Sequence, residues 1–271
     1  MLCNTVEEVE CVGVQLLRNF TGLKVWTIGP LLRRRAERSC GVESDDCIKW
    51  LDSQAPASVL YISFGSQNTI TASQMMALAR GLEASGKPFI WVVRPPLGFN
   101  LSEDFREEWL PEGLEARMKN SGQGLLVRKW APQLDILSHK STGAFLSHCG
   151  WNSILETVSC GVPVIGWPLA AEQFYNSKML VEELGVGVEV ARGVESEIAS
   201  GDVEKVIELV MGDCEKGREV KEKVVWYSEM MRAAIRQGDE GGSSIKAVDG
   251  FLQSVTSETC RKRDEVIVDG D

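Results

Sequence analysis

Between residues 58 and 191 short β-branched and aromatic runs alternate with stretches of helical pattern, and nothing else in the chain limits its fold as much. The runs are SVLYISF (58–64), KPFIWVV (87–93), GLLVRKW (124–130), GAFLSH (143–148), VPVIGW (162–167) and VGVEVA (186–191). Each is short and nearly continuous in apolar residues, the pattern of a strand covered on both faces. Helical segments stand between them. One begins at Thr71, whose spacing to Gln74 fits a capping box, and ends at Gly86. LDILSHK, SILETVSCG and the longer AAEQFYNSKMLVEELG follow. Two acidic–basic helices are expected over about 201–237, and GSSIKAVDGFLQSV reads as a last helix. Strand–helix alternation of this kind predicts an α/β fold, a Rossmann-like parallel sheet with helices on both faces. No solenoid period is present.

Composition narrows the functional classes. The chain has 271 residues and a formal net charge of −10, which disfavours nucleic acid and anionic membrane as general partners. An anionic ligand must then be held by local devices such as helix N-termini. No apolar run is long enough for a membrane span, and MLCNTVEEVE lacks the pattern of a signal peptide. The eight cysteines (Cys3, Cys11, Cys40, Cys47, Cys149, Cys160, Cys214, Cys260) form no C-x-x-C pair. They read as free thiols of a cytoplasmic protein. With only two histidines, His139 and His148, the spacing for a zinc site is missing. His139 lies on a short helix and is assigned surface or packing duty.

In open parallel sheets ligands bind beyond the carboxyl ends of the strands. The residues expected there are Gly65 and Ser66; Trp130, Ala131, Pro132 and Gln133; His148 to Ser153; and Trp167, Pro168, Glu172 and Gln173. The segment HCGWNS is a strand–turn–helix junction. Asn152 and Ser153 stand where a helix starts, in reach of its N–H groups and dipole, which suits a phosphate. His148 can add a donor, and glycine lets the backbone approach a ligand. The same Asn and Ser also make ordinary N-caps that need no ligand. Glu156 has two readings as well. It completes a capping box with Ser153, or it accepts from a vicinal diol such as ribose. Trp130, set by Pro132, offers a stacking face, with Gln133 beside it as donor and acceptor; a core tryptophan is the plain alternative. Glu172 and Gln173 favour a helix start in any case, and reach a sugar only if both face the cleft.

Taken together, W-A-P-Q … H-C-G-W-N-S … E … P … E-Q from Trp130 to Gln173 closely resembles the signature box of plant family 1 UDP-dependent glycosyltransferases acting on secondary metabolites. YISFGS (61–66) and IGPL (28–31) resemble flanking segments of that family, and the likeness runs over about residues 1–256. The resemblance implies a GT-B fold, with the box in its C-terminal, donor-binding domain. It implies that Trp130 stacks on uracil and the Ala131 backbone pairs with it, and that Gln133 and Glu156 hold ribose. His148, Asn152, Ser153 and Ser66 would hold the diphosphate, and Trp151, Glu172 and Gln173 the sugar. A closing Gln inclines the donor toward UDP-glucose. UDP-sugar is then a co-substrate, with no separate cofactor and no metal. The second partner would be a small hydroxylated acceptor such as a flavonoid, phenolic or terpenoid.

The family's catalytic base is a histidine near the start of an N-terminal domain, and no such histidine is present here. The resemblance therefore divides the chain into a remnant of the acceptor domain (1–27), a linker (28–48), a UDP-sugar-binding domain (49–240), a C-terminal helix (241–256) and a frayed tail (257–271). The chain reads as truncated, with exposed apolar surface and a tendency to associate. A non-catalytic module that binds UDP-sugar or a partner is the competing class. A nicotinamide dehydrogenase is disfavoured, because no G-x-G-x-x-G follows a strand.

Overall fold

The computed structural model describes residues 1–32, 42–128, 130–238 and 241–268, without the side chains of 42–44 and 257–268. The chain divides into two compact units, Met1–Arg33 with Tyr227–Asp271, and Arg34–Trp226.

The larger unit contains α2 (Val42–Asp52), β3 (Val59–Ser63), α3 (Ala72–Ser85), β4 (Phe89–Val92), α4 (Leu114–Ser121), β5 (Gly124–Val127), α5 (Gln133–Ser138), β6 (Thr142–Ser147), α6 (Trp151–Ser159), β7 (Val164–Gly166), α7 (Gln173–Lys178), β8 (Gly187–Glu189) and α8 (Ser200–Met211), and α9 (Glu215–Ala234) begins in it. Its six strands form one sheet in the order β5-β4-β3-β6-β7-β8, and every pairing is parallel. The chain winds outward from β3 to β5, returns to the middle at β6, and winds the other way. The strand order therefore reverses between β3 and β6, where doubly wound sheets open a crevice.

The alternating pleat sorts the strand side chains onto two cores. Leu60, Ile62, Phe89, Trp91, Ala144 and Leu146 pack with Leu78 and Leu82 of α3 and Val203 and Ile207 of α8. Val59, Tyr61, Ile90, Val92 and Phe145 pack on the other face with Cys47 and Leu51 of α2 and Ile136 and Leu137 of α5. Burial on both faces is what the continuous apolar runs predicted. The capping box of α3 is present in full, Thr71 and Gln74 each bonding the other's backbone, and Gly86 closes the helix at φ 63°.

Helix α3 lies close against α8, and Gly81 makes the approach possible. A Cβ built there would sit 2.6 Å from Val203 Cβ and 2.7 Å from the Ser200 carbonyl. Gly81→Ala is therefore expected to destabilise the unit by about 1–3 kcal/mol despite alanine's better helix propensity. A thermal melt reads this as a fall of several degrees.

The smaller unit holds β1 (Leu2–Cys3), α1 (Cys11–Thr21), β2 (Trp26–Thr27), the end of α9 and α10 (Ser243–Val268). β1 and β2 pair in parallel, and Gly250 of α10 leaves room for the Trp26 ring. On α1 the apolar Val12, Leu16 and Phe20, at i, i+4 and i+8, are 67, 62 and 91 % exposed.

Some boundaries differ from the sequence reading. Part of the expected linker 28–48 is helix α2, held by burial of Cys47 and Leu51; residues 33–41 lie outside the described residues. The long helix after Pro168 is α7 followed by one wider turn, Met179–Glu183, closed by Leu184 N–H donating to the Met179 carbonyl. Helix α10 does not stop near 256 but runs to Val268, because SETCRKRDEV contains no glycine or proline to end it. Cys3, Cys11, Cys47, Cys149, Cys160 and Cys214 are free thiols, while Cys40 and the Cys260 side chain lie outside the described residues. No helix among the described residues is long and apolar enough to cross a membrane.

Candidate functional site

Two loops flank the point where the strand order reverses. One follows β3 through Phe64, Gly65 and Ser66; the other follows β6 through His148, Cys149 and Gly150. They meet on the His148 imidazole. A Cβ at Gly65 would lie 2.7 Å from its Cε1 and Nε2, and a Cβ at Gly150 would lie 2.5 Å from Nε2. Both glycines thus leave room for the Nε2–Cε1 edge of the ring. The left-handed residues of these turns are Gly65 (φ 77°) and Cys149 (φ 61°), whereas Gly150 has extended backbone, φ −65° and ψ 141°. Gly150 leaves room beside His148 and needs no left-handed backbone.

His148 is buried, and its Nδ1 has no partner in hydrogen-bonding geometry. Burial pushes its pKa below the usual histidine value, and the nearby Ser63 backbone and Glu172 carboxylate pull only partly the other way. At neutral pH it is a neutral imidazole with polar capacity unspent. Ser66 is exposed on the facing loop. Its carbonyl accepts from Arg94 Nη1 at 2.8 Å, and two further bonds, Thr69 Oγ1 to the Pro95 carbonyl and Leu97 N–H to the Ile70 carbonyl, stitch this loop to the one after β4.

Helix α6 begins at Trp151 with Gly150 as its N-cap, and no side chain caps it. The capping-box reading of Ser153 and Glu156 therefore fails. Ser153 is inside the helix and buried. Glu156 accepts instead from Gln133 Nε2 at 2.7 Å, and the same nitrogen donates to Ser153 Oγ at 3.1 Å. Gln133 Oε1 accepts from the Tyr61 hydroxyl at 3.4 Å. Burial raises the Glu156 pKa, and the Gln133 bond offsets part of the rise. Gln133, Ser153 and Glu156 are thus one bonded cluster beneath the helix start, where Asn152 is exposed and the dipole favours an anion.

The remaining predicted residues differ in exposure and in local bonding. Trp130 is 44 % exposed and Ala131 buried. Pro132, at φ −73° and ψ 75°, makes a tight turn in which Gln133 N–H donates to the Ala131 carbonyl. Trp151 is half-buried. Glu172 is exposed, and Gln173 is buried with its Oε1 accepting from Leu169 and Ala170 N–H at 3.0 and 3.1 Å. Those bonds brace a loop that holds Ala171 at φ 52°. The carbonyl of Gln173 is therefore committed to its own loop, and only its amide nitrogen is left to face a ligand. Trp167 is not a mouth residue: it is fully buried and meets Phe64 edge to face. His139 bonds Asp52 and the Ser141 N–H, as its packing role predicted.

Sequence reasoning missed Tyr61, Arg94 and Asn176. Asn176 Nδ2 donates at 3.0 Å to the carbonyl of the left-handed Cys149. Tyr61 looks like any strand aromatic; only a polar tip on a residue 1 % exposed gives it away. Arg94 and Asn176 lie outside the loops expected at the sheet edge: Arg94 closely follows β4, and Asn176 is within α7. Among the described residues no group of three or more His, Cys, Asp or Glu side chains is placed to hold a metal ion.

Comparison with known proteins bears on the whole arrangement. The family model for UDP-glucoronosyl and UDP-glucosyl transferase matches residues 12–233. UDP-glycosyltransferase 92A1 of Arabidopsis thaliana is 48 % identical over 253 residues, 93 % of this chain and 52 % of that protein. Scopoletin glucosyltransferase of Nicotiana tabacum is 41 % identical over 94 % of this chain and 53 % of its own length. The structure of Phytolacca americana UGT2 complexed with UDP-2-fluoro-glucose and pterostilbene superposes with a TM-score of 0.80 at 35 % identity, over 93 % of this chain and 53 % of that one. The chain thus spans about half the length of the relatives it matches. With the family model covering most of its residues and the reversed-order parallel sheet beneath them, the chain belongs to the UDP-glucoronosyl and UDP-glucosyl transferase family.

Proposed function

We propose that this chain is the donor-binding part of a plant glycosyltransferase that moves a hexose, glucose by preference, from a UDP-sugar to a hydroxyl of a small metabolite, with inversion. One observation carries the reading: a carboxylate, an amide and a hydroxyl are bonded together under an uncapped helix N-terminus at the strand-order reversal. Glu156 keeps one carboxylate oxygen for a ribose diol. Ser153 Oγ accepts from Gln133 and still has its own proton to donate. Ser153, Asn152, Ser66 and the neutral His148 then surround the diphosphate. Trp130, 44 % exposed, is open to stack a uracil whose polar edge meets the Ala131 backbone. Trp151, Glu172 and the Gln173 amide face the hexose. Support comes from relatives named as UDP-glycosyltransferases and from a neighbour solved with UDP-2-fluoro-glucose and pterostilbene.

In the reaction, the acceptor oxygen bonds to the anomeric carbon as the bond from that carbon to the diphosphate oxygen breaks. The electron pair leaves on UDP. The α6 dipole and the donors of Ser153, Asn152 and His148 stabilise that charge. UDP-sugar is the co-substrate, and the scheme asks for no metal. The acceptor proton needs a base. Neither histidine here suits that task, since His139 is bonded to Asp52 and Ser141 and His148 belongs to the diphosphate end. We place the base in a further, acceptor-binding domain. The exposed α1 stripe supports this, being apolar surface that such a domain would cover.

The second reading, a binding module without turnover, rests for the isolated 271 residues on neither histidine serving as the base. Calorimetry with UDP is expected to give a dissociation constant on the order of 100 µM, and a turnover assay little or no product. Measurable glucosylation of a flavonol by the purified chain would overturn the inactivity, and absence of any UDP binding would overturn the site.

A further inference from the structure

We propose that Tyr61 is a positioning residue: through Gln133 it orients the Glu156 carboxylate and so sets how strictly the site requires ribose hydroxyls. The inference rests on the nucleotide site argued above.

The bonds leave Gln133 little freedom. An amide has two N–H protons, and here they go to Glu156 Oε2 and Ser153 Oγ. Its Oε1 accepts from the Tyr61 hydroxyl. Of the two N–H bonds, one holds Glu156 in place and the other ties Gln133 to the helix. The direct diol contact then falls to the second oxygen of Glu156, which is aimed by a chain starting at Tyr61.

Tyr61 is built to be a fixed donor. It is 1 % exposed in the middle of β3. Its ring stacks on Phe145 with centroids 4.8 Å apart and planes at 25°, so the phenol oxygen cannot swing away. Burial raises its pKa well above the ordinary value, and hydrogen bonding with the Ser63 side chain only partly opposes this. The hydroxyl therefore stays protonated throughout the working pH range. Ser63 Oγ in turn accepts from Gly65 N–H at 3.3 Å. The chain of polar contacts thus runs from the loop beside His148, through Ser63, Tyr61 and Gln133, to Glu156, joining the diphosphate end of the site to its ribose end.

Tyr61→Phe removes the proton and keeps the ring, so packing on Phe145 survives. Gln133 Oε1 then has no donor in a part-buried place. The amide gains by turning toward solvent or ligand, and Glu156 loses its support. Calorimetry on the full chain should use two probes, UDP and 2′,3′-dideoxy-UDP, with the wild type, Tyr61→Phe, Gln133→Met and the double variant. The wild type is expected to prefer UDP. In Tyr61→Phe that preference should fall about tenfold, with binding of the dideoxy probe changed by less than about twofold. Adding Tyr61→Phe to Gln133→Met should change nothing more, because the relay is already cut. A structural role would weaken both probes equally and add to the effect of Gln133→Met. That outcome, or an unchanged preference, overturns the inference and leaves the nucleotide site standing. A wild-type chain that binds neither probe overturns the nucleotide reading and this inference with it.

Discussion

Gly150→Ala is expected to weaken UDP binding by about 100-fold or more and to destabilise the larger unit by about 1–3 kcal/mol. The backbone does not resist the change, since φ −65° and ψ 141° suit alanine. The whole effect comes from one contact. The new methyl group would sit 2.5 Å from His148 Nε2, an edge of the ring that Gly65 also crowds, since a Cβ there would lie 2.7 Å from Cε1 and Nε2. Either the imidazole leaves its slot or the turn into α6 shifts, and both remove a donor from where the diphosphate charge is placed. The pair His148→Ala and Gly150→Ala isolates the cause. If ring and methyl clash, the double variant regains the stability that Gly150→Ala loses, while binding stays weak. Gly201→Ala serves as control: a Cβ there meets nothing within 4 Å, so binding should hold and stability should not fall. Near-normal UDP affinity in Gly150→Ala would remove His148 from the site.

Much of the larger unit is legible in the sequence, because its signals are strongly periodic. The runs SVLYISF, KPFIWVV and GAFLSH form β3, β4 and β6 within a residue or two of their expected ends. Phe64, Val93 and Trp167 lie past the paired residues and are still buried, so an apolar run overstates its strand: the core continues where the ladder stops. Trp167 shows the limit of placing residues by strand end alone, because a side chain at the mouth can turn inward as easily as outward. The Ser153–Glu156 spacing is ambiguous for a similar reason. A capping box and a ligand pair share one pattern, and which forms depends on where the helix starts. Here it starts two residues before Ser153, at Trp151, which takes Ser153 off the cap. Tyr61 cannot be found from pattern, since its role depends on Gln133, which is 72 positions along the chain.

Glu156→Gln is expected to separate stability from function, raising the first and lowering the second. Burial raises the Glu156 pKa from its ordinary value of 4.5. A carboxyl with a raised folded-state pKa favours the fold most below its unfolded value. That contribution is lost as pH rises through the folded value, so near pH 7 the ionised group is a net cost. Glutamine carries no charge and can still accept the Gln133 Nε2 proton through its own carbonyl, so the cluster stays closed. The melting temperature of Glu156→Gln should therefore exceed that of the wild type at pH 7–8, by about 2–4 °C for each kcal/mol relieved. The gap should close as pH approaches 4, where both side chains are neutral. Binding should move the other way. A carboxylate oxygen accepting from a diol makes charge-assisted bonds that a neutral amide does not match, so UDP affinity is expected to fall roughly 10- to 100-fold. A capping glutamate would behave differently: the helix dipole would hold its pKa low, and its replacement would lower stability at neutral pH. Calorimetry and melts on one variant at two pH values thus tell a residue kept for its ligand from one kept for its helix.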